Sequence, residues 1–167
     1  MTIKVGDRLP NAAVWEYSEV EAEGCSIGPN KYQVADLAKG KRIIIIGLPG
    51  AFTPTCSAKH VPGYLEQYDA LKAKGVDEIW CVANNDAHVM GAWARDQKSG
   101  GKIRMIADGN TEFTKALGLE IDRTSAGMGI RSQRYSMLVE DGVVKRLNVE
   151  TPGKFEVSDA ATMLGQL

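Results

Sequence analysis

The sequence predicts an α/β fold built on a central mixed β-sheet with helices on both faces. Between residues 34 and 117, short apolar runs alternate with stretches of helical periodicity, which is typical of parallel strands joined by helices. Near the C-terminus, two further apolar runs flank the turn Glu140-Asp141-Gly142, and this pattern predicts an antiparallel hairpin. The 167 residues contain no repeat or linker, so we expect residues 1–167 to form a single domain.

The first elements lead up to a buried central strand. Residues 1–12 lack periodicity and are expected to form an arm, whereas the weak alternation of residues 13–17 predicts a strand. Residues 19–31 are polar and contain glycines, which indicates a hairpin or a loop. Residues 34–39 should form a short helix. The strand at residues 42–48 contains four consecutive isoleucines, so we expect it to be buried on both faces in the middle of the sheet.

A long helix should follow this strand. Apolar residues recur at helical spacing from about residue 55 to residue 75, and Pro62 inside the pattern predicts a kink. Residues 78–83 (EIWCVA) predict a second buried strand, and residues 103–107 predict a third. The helix between these two strands is expected to bury Val89, Met90 and Trp93.

The remaining elements complete the sheet and its cover. A helix capped by Asn110 or Thr111 should follow the third strand, and residues 125–133 should form a loop. The hairpin strands are expected at residues 135–139 and 143–149, before a C-terminal helix. The side chains expected to be buried are Phe113, Ala116 and Leu117 in the first helix and Val157, Ala160, Ala161, Leu164 and Leu167 in the second.

The composition limits the classes of partner. A net charge of −1 at pH 7 gives no indication of nucleic acid or an anionic membrane as a partner. No signal peptide is visible, and no apolar stretch approaches membrane-spanning length. The three cysteines, Cys25, Cys56 and Cys81, do not resemble a secreted disulfide framework. We therefore expect a cytoplasmic protein, in which a cysteine is catalytic, redox-active or simply buried.

Cys56 lies where the loop after the central strand should turn into a helix. In such sheets the reactive site lies beyond the carboxyl end of a central strand. The unpaired N–H groups at a helix start favour the thiolate, which is the nucleophilic form of cysteine. Thr53 can offer a hydroxyl to the sulfur or to a substrate, while Pro49 and Pro54 restrict the loop. The alternative, that Cys56 is a small buried core residue, is disfavoured, because a turn at the end of a central strand is an unfavourable position for burying a cysteine.

Other chemistries fit the sequence less well. Residues 47–56 contain glycines like a phosphate-binding loop, but the Gly-Lys-Ser/Thr ending is missing. There is no Cys-x-x-Cys pair, and the histidines, His60 and His88, form no cluster with metal-ligand spacing. His60 lies one helical turn after Cys56, where we expect a structural hydrogen-bonding residue, with a general base as the lesser alternative.

Residues 49–57 (PGAFTPTCS) resemble the active-site pattern of the peroxiredoxins, Pro-x-x-x-Thr-x-x-Cys. Together with residues 60–63 (HVPG), they resemble the type II (peroxiredoxin 5) branch in particular. The similarity continues through residues 71–93, 134–142 and 143–150, so it covers most of the chain. The resemblance implies a thioredoxin-like fold, in agreement with the predicted order of strands and helices.

The resemblance also implies roles for individual residues. Cys56 would be the peroxidatic cysteine, whose thiolate attacks a peroxide oxygen and becomes a sulfenic acid. Thr53 would be its hydroxyl partner, and Pro49 would shield the site. The backbone N–H groups near Thr55 and Cys56 would align the peroxide and stabilise charge on the leaving oxygen. The substrates would be hydrogen peroxide and small alkyl hydroperoxides, and the chemistry needs no metal or organic cofactor.

One arginine is expected to complete the site. Arg134, in the segment Arg-Tyr-Ser, matches the active-site arginine of the family. Arg131, three residues earlier, is the other candidate for this arginine on sequence alone, and we interpret it as a solvated loop charge. Arg123 has no support from a motif. We therefore assign Arg134 to the site.

Two routes could reduce the sulfenic acid of Cys56 back to the thiol. Some type II members, notably of animals, resolve it with a cysteine near the C-terminus, but residues 151–160 contain none here. Resolution by glutathione or glutaredoxin is favoured, and a Cys56–Cys81 disulfide reduced by thioredoxin is the alternative. Cys81 lies within an apolar strand, where an inert cysteine is expected, and Cys25 is interpreted as an exposed bystander.

Two further functional classes use the same residues differently. A peroxide sensor or chaperone-like binding protein would oxidise Cys56 once without efficient recycling. A binding module that shares only the fold would have a Cys56 no more reactive toward iodoacetamide than a free cysteine. The branch that the sequence resembles is generally dimeric, so we expect a homodimer.

Overall fold

Strands and helices alternate along the chain, which the computed structural model describes for residues 1–22 and 26–167. The interpretation of Cys25 lies outside these residues. The strands are β1 (Ala13–Ser18), β2 (Gly28–Gln33), β3 (Arg42–Gly47), β4 (Glu78–Ala83), β5 (Ile103–Ala107), β6 (Glu120–Asp122), β7 (Ile130–Ser132), β8 (Tyr135–Glu140) and β9 (Val143–Val149). The α-helices are α1 (Val34–Ala38), α2 (Val61–Glu66), α3 (Tyr68–Ala73), α4 (Ala87–Gln97), α5 (Glu112–Leu117) and α6 (Ala160–Gly165).

The main sheet has seven strands in the order β2-β1-β5-β4-β3-β8-β9, with β3 near its centre. β3 pairs in parallel with β4 and antiparallel with β8, so the sheet is mixed, as predicted. Ile44 and Ile46 pack in an apolar cluster with side chains of α2, α4 and α6, whereas Ile43 and Ile45 pack with those of α1 and α5. All four isoleucines are 0% exposed, which confirms a central strand covered by helices on both faces.

One edge of this sheet collects the loops that concern function. β3, β4 and β5 run parallel, so the loops after Gly47, Ala83 and Ala107 leave the sheet on the same side. β8 runs in the opposite direction and starts with Tyr135 opposite Gly47. The residues just before β8 therefore lie at the same edge as the loop just after β3.

The long helix predicted for residues 55–75 is divided. A π-helix occupies Cys56–His60, α2 and α3 follow it, and Gln67 separates the two α-helices. The N–H of Val61 bonds to the carbonyl of Cys56, five residues earlier, so the turn before Pro62 is widened. Because proline has no N–H to donate, the chain accommodates Pro62 with this wide turn, where a kinked α-helix was predicted.

The structure decides between two predicted alternatives in one segment and corrects a predicted loop in another. Residues 19–31 were predicted to be a hairpin or a loop, and the hairpin is correct, because β2 pairs antiparallel with β1. Residues 125–133 were predicted to be a loop, but residues 130–132 form β7, which pairs with β6. No helix in the described ranges is both long and apolar enough to cross a membrane.

Some side chains predicted to be buried are exposed. Ala116 faces solvent, and Thr114 is buried in α5 instead, because its hydroxyl donates a hydrogen bond to Asp108 at 2.7 Å. Val157 is 39% exposed, because it lies in a loop before α6 rather than in the helix. Ala161 lies on the outer side of this short helix.

Candidate active site

The backbone places Cys56 in the first turn of a helix. The carbonyl of Thr53 accepts a hydrogen bond from the N–H of Ser57 at 3.0 Å, so helical bonding begins at Pro54. Proline suits the first helical position because the N–H it lacks would have no partner there. The N–H groups that follow are free of helical acceptors, and they create a positive potential around the cysteine. Cys56 thus lies at a helix N-terminus, as the sequence predicts.

The side chain of Cys56 is nevertheless buried. It is 0% exposed and belongs to an apolar cluster with Leu48, Tyr64 and Cys81. The expectation that this turn would keep the cysteine out of the core is wrong, because the first helical turn packs onto the sheet face that carries Ile46. The sulfur is held among apolar side chains but still has one charged neighbour.

That neighbour is Arg134, which connects the sulfur to a second group. Its Nη2 donates to the Sγ of Cys56 at 3.1 Å, and its Nη1 lies 2.9 Å from the Nδ1 of His60. The guanidinium carbon also lies 5.9 Å from the centre of the Phe155 ring. A guanidinium beside a sulfur favours the thiolate electrostatically. The structure therefore brings together the cysteine and the arginine that the sequence assigns to the site.

His60 fixes the other arm of this arginine. Because Arg134 can only donate, Nδ1 accepts, and the ring proton resides on Nε2, which donates to the carbonyl of Ser158 at 3.1 Å. Burial lowers the pKa of His60 to about 3, and the positive charge of Arg134 adds to this effect. Both ring nitrogens are occupied and the ring is neutral at physiological pH. These contacts agree with a structural His60 and not with a general base.

Glu150 organises the loop that supplies the Ser158 carbonyl. Its carboxylate accepts the backbone N–H groups of Glu156, Val157 and Ser158 and the hydroxyl of Ser158. Burial alone would raise the pKa of Glu150, but these hydrogen bonds outweigh burial and hold the pKa below its usual value. The Ser158 carbonyl also accepts the hydroxyl of Tyr64 at 2.9 Å. The carboxylate thus stabilises the loop that orients the histidine.

Polar contacts also hold the loop before the cysteine. Thr53 Oγ1 donates to the Gly50 carbonyl at 2.8 Å. Arg131 Nη1 donates to the Pro49 carbonyl at 3.1 Å, and its Nε donates to the Met128 carbonyl at 2.8 Å. The interpretation of Arg131 as a solvated loop charge is therefore wrong, because its half-buried guanidinium joins two loops.

Cys81 occupies the middle of β4, opposite Ile46 of β3. It is 0% exposed, and burial raises the pKa of its thiol well above the usual value, with the nearby Cys56 as the second cause. Both cysteines have free thiols. In this conformation Cys81 is a buried core residue, as its apolar sequence context predicts.

A cavity of about 320 Å³ opens in front of the site. Pro49, Thr53, Thr55 and Arg134 contribute to its lining, but the buried Cys56 does not. Arg134 therefore contacts the sulfur and also faces the cavity. Within residues 1–22 and 26–167, no group of three His, Cys, Asp or Glu side chains is arranged to hold a metal ion.

The residues that support the arginine were not predicted from the sequence. Glu150 and Ser158 act through hydrogen bonds across a loop, and Phe155 packs its ring 5.1 Å from that of His60. The available signal was weak: a carboxylate directly after an apolar strand, followed by a Pro-Gly loop without periodicity.

Comparisons with known proteins agree with this geometry. A protein-family model described as Redoxin matches residues 4–164. Peroxiredoxin-2B of Arabidopsis thaliana is 43% identical to this chain, over 99% of the chain and 98% of the relative. The chain belongs to the peroxiredoxin family. The resemblance to the type II branch is confirmed, and this peroxiredoxin is a thiol peroxidase, an oxidoreductase that acts on peroxides.

Solved structures confirm the thioredoxin-like fold. Reduced Prx3 from Vibrio vulnificus in complex with hydrogen peroxide is 48% identical, covers 99% of each chain and has a TM-score of 0.91. A Burkholderia cenocepacia protein, provisionally described as a thioredoxin reductase, is 59% identical, covers 100% of this chain and 99% of its own, and has a TM-score of 0.99. This peroxiredoxin has no Cys-x-x-Cys pair, so its cysteines give no support to that second description.

Proposed function

We propose that this peroxiredoxin reduces hydrogen peroxide and small alkyl hydroperoxides with Cys56 as its peroxidatic cysteine. The observation that carries the proposal is the 3.1 Å contact between Arg134 Nη2 and Cys56 Sγ at a helix start. Both the guanidinium and the free N–H groups favour the thiolate, which is the form that attacks oxygen. The core supplies the rigid support that holds the sulfur in place.

In the proposed first step, the thiolate of Cys56 attacks one peroxide oxygen. The S–O bond forms as the O–O bond breaks, and the second oxygen leaves with the bonding electrons as hydroxide or alkoxide. The sulfur becomes a sulfenic acid that keeps the proton of the attacked oxygen, and the leaving group takes a proton from water. Arg134 and the backbone N–H groups of Thr55 and Cys56 would stabilise the charge on the leaving oxygen.

The direction of one hydrogen bond supports a role for Thr53 in alignment. Its Oγ1 gives its proton to the Gly50 carbonyl, so the oxygen lone pairs remain available for the O–H of a peroxide. Pro49, whose carbonyl is held by Arg131, would shield the site from bulk water. These contacts would fix the peroxide relative to the sulfur before the reaction.

Two observations support the proposed substrates. The related Vibrio vulnificus Prx3 is described in complex with hydrogen peroxide. The cavity in front of the site is also lined by the apolar side chains of Pro54, Ile121, Met128 and Phe155. Such a wall would accept a short alkyl group, which supports alkyl hydroperoxides as second substrates.

We propose an external thiol, glutathione or glutaredoxin, as the reductant. No cysteine follows β9 in the sequence, and Cys81 is buried with a raised pKa. A Cys56–Cys81 disulfide reduced by thioredoxin is the second candidate, favoured by the presence of both residues in one apolar cluster. That bridge needs Cα atoms within about 7 Å of each other, or unwinding of the helix start.

The mass of the Cys25→Ser protein after one equivalent of peroxide tests these two routes. We expect a persistent sulfenic acid at Cys56 that dimedone traps and that glutathione converts to a mixed disulfide. Loss of two hydrogens, with digestion that maps a bridge to Cys81, would contradict the external-thiol route.

Turnover separates the peroxidase from a peroxide sensor. We expect multiple turnovers with glutathione and glutaredoxin, and no turnover in the Cys56→Ser variant, whereas Cys25→Ser should retain activity. A single oxidation without recycling by either glutathione or thioredoxin would favour the sensor instead. Full activity of Cys56→Ser would contradict both functions.

We further propose a cytoplasmic homodimer. Phe52, on the loop before the cysteine, is 52% exposed, and Ile130 is 37% exposed, so apolar surface is available for a second copy. Analytical ultracentrifugation should give twice the chain mass of 18.1 kDa, and a monomer at micromolar concentration would contradict the dimer. Cell fractionation with antibody detection should place the protein in the cytoplasmic fraction.

A further inference from the structure

Two cations at the cavity in front of Cys56 are unused by the reaction described above. Arg123 and Lys154 line this cavity, and neither side chain forms an ion pair or hydrogen bond among the residues that the structure describes. The acidic residue of the lining, Glu150, has its carboxylate occupied by four donors. The lining thus holds three cations, Arg123, Arg134 and Lys154, and one carboxylate, so its net charge is positive.

Both cations lie on short turns that define their positions. The N–H of Arg123 donates to the Gly129 carbonyl at 2.7 Å, and the Arg123 carbonyl accepts from the N–H of Met128 at 3.1 Å, so this loop is closed at its base. The N–H of Lys154 donates to the Thr151 carbonyl at 2.9 Å. The two cations approach the cavity from different loops, which suits a ligand with more than one anionic group.

We propose that this cavity binds glutathione during reduction of the sulfenic acid, with Arg123 and Lys154 as partners for its two carboxylates. The inference rests on the proposed external-thiol route and adds the residues that recognise the thiol. The volume of about 320 Å³ is at the lower end of the range for small-molecule sites, as suits a tripeptide. Arg134 and Thr55 lie in the same lining, so a thiol bound here would be directed toward Cys56.

The bound thiol completes a balanced condensation. The thiolate of glutathione attacks the sulfur of the Cys56 sulfenic acid, and an S–S bond forms as the S–O bond breaks. Hydroxide leaves and takes a proton to become water. A second thiol, from glutathione or glutaredoxin, then attacks the mixed disulfide, releases the Cys56 thiolate and leaves as the oxidised partner.

The test measures selectivity between a charged and an uncharged thiol. The Cys25→Ser protein is oxidised with one equivalent of peroxide, and formation of the mixed disulfide is followed by rapid quench and intact mass. Glutathione is compared with 2-mercaptoethanol, in the parent and in the Arg123→Gln/Lys154→Gln double variant. Lys145→Gln, which removes an exposed lysine of β9 outside the cavity, is the matched control.

We expect the ratio of the glutathione rate to the 2-mercaptoethanol rate to fall about tenfold in the double variant, the combined effect of two partly exposed charge contacts. Added salt should lower the same ratio in the parent protein. The ratio should stay unchanged in Lys145→Gln. An unchanged ratio in the double variant would overturn the assignment of the two cations.

Two further outcomes separate this inference from the proposed route itself. If the oxidised parent loses two hydrogens before any thiol is added, the external-thiol route is wrong, and the cavity assignment is wrong with it. An organic hydroperoxide that carries a carboxylate is the alternative ligand for Arg123 and Lys154. If the double variant slows oxidation by linoleic acid hydroperoxide relative to tert-butyl hydroperoxide and leaves the thiol ratio intact, the cavity recognises the oxidant, and the glutathione assignment is overturned.

Discussion

The protonation of His60 should limit the stability of the protein in mild acid. In the folded chain, burial and the charge of Arg134 lower the pKa of His60 to about 3, while the Ser158 carbonyl and the acidic Glu150 and Asp159 oppose the shift only in part. In the unfolded chain the ring regains its ordinary value of 6.5. The unfolded chain therefore takes up the proton first as the pH falls.

The size of the effect follows from these two values. The stabilisation is fully present above the unfolded-state pKa, and it is lost as the pH falls from 6.5 toward 3. Each pH unit below the unfolded-state value costs about 1.4 kcal/mol, so the free energy of unfolding at pH 5 should be about 2 kcal/mol lower than at pH 7 because of this ring alone.

Urea titrations of the wild type and of His60→Gln at pH 7 and pH 5 measure this loss. Glutamine does not titrate, so the variant should lose about 2 kcal/mol less than the wild type between the two pH values, although it starts from a lower stability at pH 7. His88→Gln, which changes the exposed histidine of α4, serves as the control and should keep the wild-type loss. An equal pH-dependent loss in His60→Gln and in the wild type would refute the assignment of a buried neutral ring.

Three further predictions concern other contacts. Glu150→Gln should lower the free energy of unfolding at pH 7 by about 2–4 kcal/mol, because four donors lose a charged acceptor. In the same urea titrations, the control Glu156→Gln on this loop should change the free energy of unfolding by less than about 0.5 kcal/mol. Equal losses in the two variants would contradict the role of Glu150 in stabilising the loop. Gly47→Ala should destabilise by about 3 kcal/mol, because the added Cβ would lie 2.0 Å from a tyrosine ring of β8. By contrast, Gly63→Ala should gain about 0.5–1 kcal/mol, because Gly63 lies within α2 and an added Cβ there would meet only open space. An unchanged melting temperature in Gly47→Ala would refute the clash. Cys81 should resist iodoacetamide at neutral pH until urea is added, as mass spectrometry can show; alkylation in the native protein would contradict its burial.

Local patterns in the sequence were sufficient to predict β3, β4 and β5, the hairpin of β8 and β9, and the position of Cys56, but not the short strands β6 and β7. The isoleucine run of β3 requires burial on both faces, and the Pro-rich loop and helix start follow directly along the chain. The π-helix could not be predicted, because it depends on how the backbone compensates for Pro62. The burial of Cys56 was missed for a similar reason, since it depends on packing between the helix start and the sheet.

The supporting contacts of Arg134 were also beyond the reach of sequence patterns. Its motif identified it, but Glu150 and Ser158 carry no motif of their own. Their role depends on a loop that folds back over His60, so that backbone groups supply most of the hydrogen bonds. Backbone donors and acceptors are present at every position, and only the folded loop selects which of them are used.

The packing of Tyr135 explains why the arginine and the cysteine meet. Tyr135 begins β8 opposite Gly47, the last residue of β3, and its ring fills the space that any larger side chain at Gly47 would need. Because β8 is antiparallel to β3, the residue just before it, Arg134, lies at the edge where the loop to Cys56 begins. A shift of one residue in this pairing would turn the Tyr135 ring to the other face of the sheet. The same tyrosine–glycine contact that holds the two strands in register therefore also determines the position of the charge beside the sulfur.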